Sequence, residues 1–169
     1  NQTTLVGETI YDHQGRPAIQ VLPVPVNDAT LRYYSNFNQN LIGDPYSRAD
    51  FDMDNGTCQN NAGPMRPNQR GASHYYSTFN PDKTIGFHAY IPNAVGYPFT
   101  HTLYTPDNTG RISRQGGVGP AHQLYGGHET RYSYAVPHQE ELDLLFGNEA
   151  GFAMHYKKNA VTDANGQIS

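Results

Sequence analysis

Tyr11-Asp12-His13-Gln14-Gly15-Arg16-Pro17-Ala18-Ile19-Gln20-Val21 is the stretch that decides the fold of this chain. An aromatic residue leads into Asp, two polar residues carry the backbone round, Gly accepts a positive φ and an alternating run leads away, which is the grammar of strand, turn and returning strand. The carboxylate can take up backbone N–H groups two residues on, and the glycine three places later can turn left-handed without steric penalty. Two further stretches repeat the pattern: Tyr104-Thr105-Pro106-Asp107-Asn108-Thr109-Gly110-Arg111-Ile112-Ser113-Arg114 and Val161-Thr162-Asp163-Ala164-Asn165-Gly166-Gln167-Ile168-Ser169. The last is the weakest, with Gln167 where the others carry Arg16 and Arg111.

Composition agrees with a chain of hairpins. Among 169 residues there are 13 Tyr and 7 Phe but no Trp, with 17 Gly and 12 Pro and only 15% charged residues. Aromatics supply large areas on a pleated surface, and Gly with Pro punctuate strands. A net charge of −4 with scattered Lys and Arg gives no electrostatic footprint for nucleic acid. No apolar run approaches the roughly 20 residues needed for a membrane helix. The lone Cys58 excludes an internal disulfide framework and reads as a tolerated thiol.

The expected class is mainly β, built of antiparallel hairpins with one short helix near 137–146. Residues 1–26 form a first hairpin, with strands near Thr9–Tyr11 and Ala18–Leu22. Pro23 and Pro25 should keep the second strand from continuing as a central one. Residues 27–98 read as a loop-rich insertion or module. Within it Leu31–Phe37 fits a short strand or a helical turn equally, 38–70 has loop chemistry, and the aromatics of 72–90 predict a strand-rich section. Residues 99–169 return to hairpins: one over Pro98–Arg114, a strand over His128–Val136, the helix over Pro137–Phe146 stopped by Gly147, and a strand over Phe152–Val161.

Chemistry-bearing patterns are few. Asp50, Asp52 and Asp54 alternate as a calcium loop would require, but Gly56 stands one place late and Asn61 occupies the position of the closing Glu, so a polar loop or strand end with Phe51 and Met53 turned inward is the preferred reading and calcium the alternative. The histidines form no H-E-x-x-H pair. Gly116-Gly117-Val118-Gly119-Pro120 lacks a following Lys-Ser/Thr and reads as a flexible connector, and no G-x-S-x-G elbow occurs. Catalytic residues are therefore not assigned, and calcium is the one cofactor the sequence admits.

On Tyr11, Asp12, Gly15 and Arg16, on Asp107, Gly110 and Arg111, and on Asp163 and Gly166, the chain resembles the YD-repeat, or RHS, family of very long bacterial secreted or surface proteins. The stretches Gly116–Gln123 and Gln139–Gly147 are similar to segments accompanying such repeats. The resemblance implies hairpins coiled into one continuous sheet forming a hollow shell. It further implies an extracellular or cell-surface location and a non-enzymatic structural role, enclosing or presenting cargo such as a toxin or mediating cell contact. Partners would be adjacent repeats of the same longer chain or a secretion or surface partner, with alternating aromatics buried inside, turns facing outward and both ends of these residues lying within a longer protein. The family's D-P-x-G-L-type self-cleavage motif has no counterpart, since Asp44-Pro45 is followed by Tyr46-Ser47. The alternative is a carbohydrate-binding or adhesive β module stabilised by calcium at Asp50, Asp52 and Asp54, with Tyr75 and Tyr76 as a stacking platform.

Overall fold

The structure, a computed structural model, describes residues 3–52, 62–67 and 70–169. Six strands form one antiparallel sheet whose spatial order is the chain order: β1 Thr4–Tyr11, β2 Pro17–Val26, β3 Phe99–Tyr104, β4 Ile112–Gly116, β5 Thr130–Ala135 and β6 Lys158–Thr162. The mainly β, antiparallel class read from the sequence is the one observed. The helical turn α1 covers Ala72–Tyr75, and the expected short helix is α2, Gln139–Phe146.

Residues directly opposite one another in antiparallel strands share a face. Ile10 lies opposite Ile19, Ile19 opposite His101, Val21 opposite Phe99, and Glu8 opposite Val21. One face of β1–β3 therefore presents Glu8, Ile10, Ile19, Val21, Phe99 and His101. The other face carries the polar row Thr9, Gln20 and Thr100 across the same three strands.

The apolar face is covered by the segment joining β2 to β3. Phe51, Ala62, Met65 and Ala72 pack into one cluster with Ile10, Ile19, Val21, Val24 and Phe99, with Phe37, Tyr46, Tyr75, Tyr76 and Tyr97 at its margin. The Phe51 and Phe99 rings meet edge to face, 4.9 Å apart at 77°. Polar bonds pin this cover: the Tyr76 hydroxyl donates to the Pro23 carbonyl at 2.6 Å, the Ala72 N–H to Asn38 Oδ1 at 2.8 Å, and the Met65 N–H to the Gly96 carbonyl at 2.7 Å.

Several sequence expectations need correction. The 72–90 region is helical in short pieces, with α1 followed by 3-10 turns at Pro81–Thr84 and Gly86–Tyr90. Asn80 caps the first of these by accepting from the Asp82 N–H, and Pro81 fills the position just inside its start. The last strand is shorter than Phe152–Val161. A 3-10 turn occupies Ala153–His155, and Gln139 clamps its approach by donating to the Gly151 carbonyl and accepting from the Ala153 N–H, both at 2.8 Å.

Strand β2 runs through both prolines to Val26. Past Val21, however, its ladder partners lie on β1 alone, apart from the Leu22 N–H donating to the carbonyl of Pro98, the residue before β3. The prolines thus end the strand's central character without ending the strand. Few of the aromatics are core: Phe51 and Phe99 are its large rings, while Tyr33, Phe79, Phe87 and Tyr90 are exposed. The Gly116–Pro120 connector is tightly built. A Cβ on Gly116 would lie 2.9 Å from the Leu124 nitrogen, and Gln123 Nε2 donates to the Gly117 carbonyl at 2.7 Å.

Phe99→Ala should cost about 3–5 kcal/mol, as expected for a fully buried ring. The exposed Phe87→Ala should stay within about 0.5 kcal/mol of the parent. Urea unfolding of the two variants measures the contrast, and equal losses would mean the cover does not pack as described.

Candidate functional site

The first and third Asp-x-x-Gly turns share one device. In the first, a single oxygen, Asp12 Oδ1, accepts the backbone N–H groups of Gln14 and Arg16 at 2.9 Å each. The ladder closes by Asp12 N–H to the Arg16 carbonyl and Gly15 N–H to the Asp12 carbonyl. The other oxygen, Oδ2, takes the Arg16 guanidinium at 2.7 Å from both Nε and Nη2. Gly15 supplies the required φ of 75°. The third turn reproduces the backbone half: Asp163 Oδ1 accepts from Asn165 and Gln167 at 2.9 Å, with Gly166 at φ 81°. It lacks the guanidinium because Gln167 stands there.

The second turn is wider, since Thr105 and Pro106 separate the strand from Asp107. Thr105 donates its N–H to the Arg111 carbonyl, and Asp107 gathers the Thr105 and Thr109 hydroxyls, the Thr109 N–H and Arg111 Nη2. Those hydroxyls and the guanidinium hold the Asp107 carboxyl well below the usual carboxylate range. For Asp12, desolvation raises the pKa, but the Arg16 and Gln14 donors outweigh it and leave the group below its ordinary 3.8.

Each arginine also reaches the next hairpin. Arg16 lies 4.2 Å from the Tyr104 ring centre, and the Tyr104 hydroxyl donates to the Pro17 carbonyl at 2.9 Å. Arg111 lies 4.6 Å from the Tyr134 ring centre, and the Tyr134 hydroxyl donates to the Ile112 carbonyl at 2.9 Å. In both cases a turn arginine is held by its own aspartate, stacked on a tyrosine of the following strand, and followed by a carbonyl that accepts from that tyrosine. The turn residues Tyr11, Asp12, Gly15, Arg16, Asp107, Gly110 and Arg111 were legible in the sequence. Tyr134 was not, and the interstrand role of Tyr104 was not, since both depend on a register that places them beside an arginine from another hairpin. The tyrosine ahead of each D-x-x-G-R turn was the available signal.

Of the calcium candidates, Asp50 and Asp52 flank the buried Phe51, while Asp54 lies outside the described residues. Asp50 Oδ2 accepts from the Ser47 N–H and hydroxyl at 2.7 Å, and its Oδ1 accepts from Asn40 Nδ2. Asp52 faces Arg48 at 3.8 Å. Among the described residues no three His, Cys, Asp or Glu side chains converge as a metal site would require. Tyr75 and Tyr76 stand perpendicular at 89°, with Tyr75 bonded to His88 and Tyr76 to Pro23, so they form no coplanar platform.

Two buried polar groups have surroundings that the sequence did not show. Glu129, at the foot of β5, takes Arg114 on one oxygen and the Tyr125 N–H on the other, fixing the β4–β5 connection. His101 is fully buried with neither ring nitrogen bonded among the described residues. Burial first, and the Arg48 charge second, push its pKa down from 6.5 to about 4 against the opposing pull of Asp52.

No family model matches the chain, and no curated protein matches it. Among the described residues no helix is long and apolar enough to cross a membrane.

Two outcomes follow for folding. Asp12→Ala should lose about 1–2 kcal/mol through its abandoned donors. Because the folded pKa of Asp12 is depressed, the parent's advantage over that variant should be full above about pH 4 and fade as pH falls through the lower folded value, readable from urea midpoints across pH. His101 is also depressed, so the unfolded chain takes up its proton first. Stability should fall by roughly 3 kcal/mol between pH 6.5 and 4, and His101→Leu should flatten that slope.

Proposed function

We propose that this chain is a non-enzymatic wall segment of an RHS/YD-repeat β-shell protein, secreted or surface-displayed, whose whole encloses or presents cargo such as a toxin or mediates cell contact. The observation that carries this reading is the repeated clasp of aspartate, arginine and tyrosine. It links each D-x-x-G-R turn to the strand after it, so hairpins are joined serially as a continuous wall requires. The meander order supports the same reading, since every strand pairs with its chain neighbours.

The sheet is open. Among the described residues, no backbone hydrogen bond joins the outer edge of β1 to anything. At the other side, Ser169 and Val161 exchange N–H···O bonds across the third turn and Thr162 bridges Ile168, so pairing continues past β6. Open edges seek a further strand, and in a wall that strand is the adjacent repeat.

Hydrogen exchange on the full-length protein from its source, with intact mass and peptide mapping, tests the reading. Amides of Thr4–Tyr11 and Lys158–Thr162 should be protected as strongly as those of β3, while in the 169-residue chain alone the outer amides of β1 exchange quickly. Equal, rapid exchange of the outer β1 amides in both settings would sink the proposal.

A further inference from the structure

The register of the sheet fixes where each clasp forms. Between β2 and β3, Ile19 faces His101 and Gln20 faces Thr100, and the same antiparallel count carried to the strand ends sets Arg16 opposite Tyr104. Between β4 and β5, Arg114 faces Arg131, and the count carried up sets Arg111 opposite Tyr134. The stacking distances agree with both extrapolations.

Tyr11 occupies the same place on β1 that Tyr104 occupies on β3. Tyr11 pairs with Pro17 across a register shift that follows Ile10, and Tyr104 pairs with Ile112 across a register shift that follows Leu103. Each immediately precedes its turn, and each partner immediately follows the turn arginine. The difference lies in what comes before. Tyr104 has β2 beside it, whereas Tyr11 stands on the outer strand, 55% exposed, with no guanidinium over its ring and no acceptor for its hydroxyl among the described residues.

We propose that the outer edge of β1 is a docking edge for a β-strand that opens with Gly-Arg, itself the return strand of a D-x-x-G-R hairpin. This rests on the wall reading and adds to it the chemistry of the neighbour. The incoming strand runs antiparallel to β1, its arginine lies on the Tyr11 ring while held by its own aspartate, and the carbonyl after that arginine accepts from the Tyr11 hydroxyl. The occupant is not a second copy of this chain, because Arg16 and Arg111 are already engaged in their own sheet. Main-chain pairing supplies the affinity and the arginine the selection.

The test is a titration of the isotope-labelled 169-residue protein, followed by amide NMR, with a disulfide-closed hairpin peptide copying Phe99–Gly116. Chemical-shift changes should concentrate on Thr4–Tyr11. A peptide carrying Arg111→Ala should bind about tenfold more weakly, as should the parent peptide to a Tyr11→Ala protein, whose unchanged spectrum elsewhere reports an intact fold. Tyr11→Phe, which keeps the ring and loses the hydroxyl, should fall between. Equal binding of the parent and Arg111→Ala peptides would overturn the arginine-reading edge while leaving the wall intact. Shifts on β6 or nowhere would also overturn it, and exchange protection in the full-length protein judges the wall independently.

Discussion

One carboxylate oxygen accepting two backbone N–H groups is the constraint on which the sheet depends. Asp12 Oδ1 and Asp163 Oδ1 each fix the direction of the chain over four residues, so the returning strand leaves in one register. Register decides everything downstream, because a slip of one residue would turn Ile19 and Val21 out to water and bring Gln20 into the core. The second oxygen then has a separate task in the first two turns: it orients an arginine across the strand boundary. Local turn chemistry and long-range strand order therefore meet in a single side chain.

The core inherits that register. Among the described residues the main apolar cluster lies on β1 to β3, and its cover comes from the connection between β2 and β3, not from a second sheet. Phe99 and Phe51 meet where strand and cover join, and His101 is sealed beneath the same cover beside Arg48 and Asp52. Burying an ionisable ring without a partner is costly, and here the ring stays neutral, which ties retention of the cover to pH. Glu129, buried at the foot of β5, has partners on both oxygens, Arg114 on one and the Tyr125 amide on the other.

Much of the strand architecture was legible because its signals are local. Asp12, Gly15, Asp107, Gly110, Asp163 and Gly166 mark turns by their own side chains and φ angles, and the alternation Phe99, His101, Leu103 marks a strand with one buried face. The cover was misread for a physical reason. Its aromatics suggest strand, yet Asn80 with Pro81 and the positive φ of Gly86 break the run into helical turns, and Asn38 caps α1 from far away in the chain. Phe152–Tyr156 was misread because the clamp on it comes from Gln139. The pairing of each tyrosine with its arginine was not legible, since neither Tyr104 nor Tyr134 adjoins in sequence the arginine it touches.

The excursion between β5 and β6 occupies the place of a short hairpin loop, at the same end of the sheet as the first two turns, and it holds α2 with the exposed Leu144, Leu145 and Phe146. Yet Tyr134, just before it, still closes the clasp with Arg111. The fastening of one hairpin is thus complete before the next loop begins. The loop that follows is no part of the stitch behind it, so the sheet is a fabric whose ornament and whose seams are set by different residues.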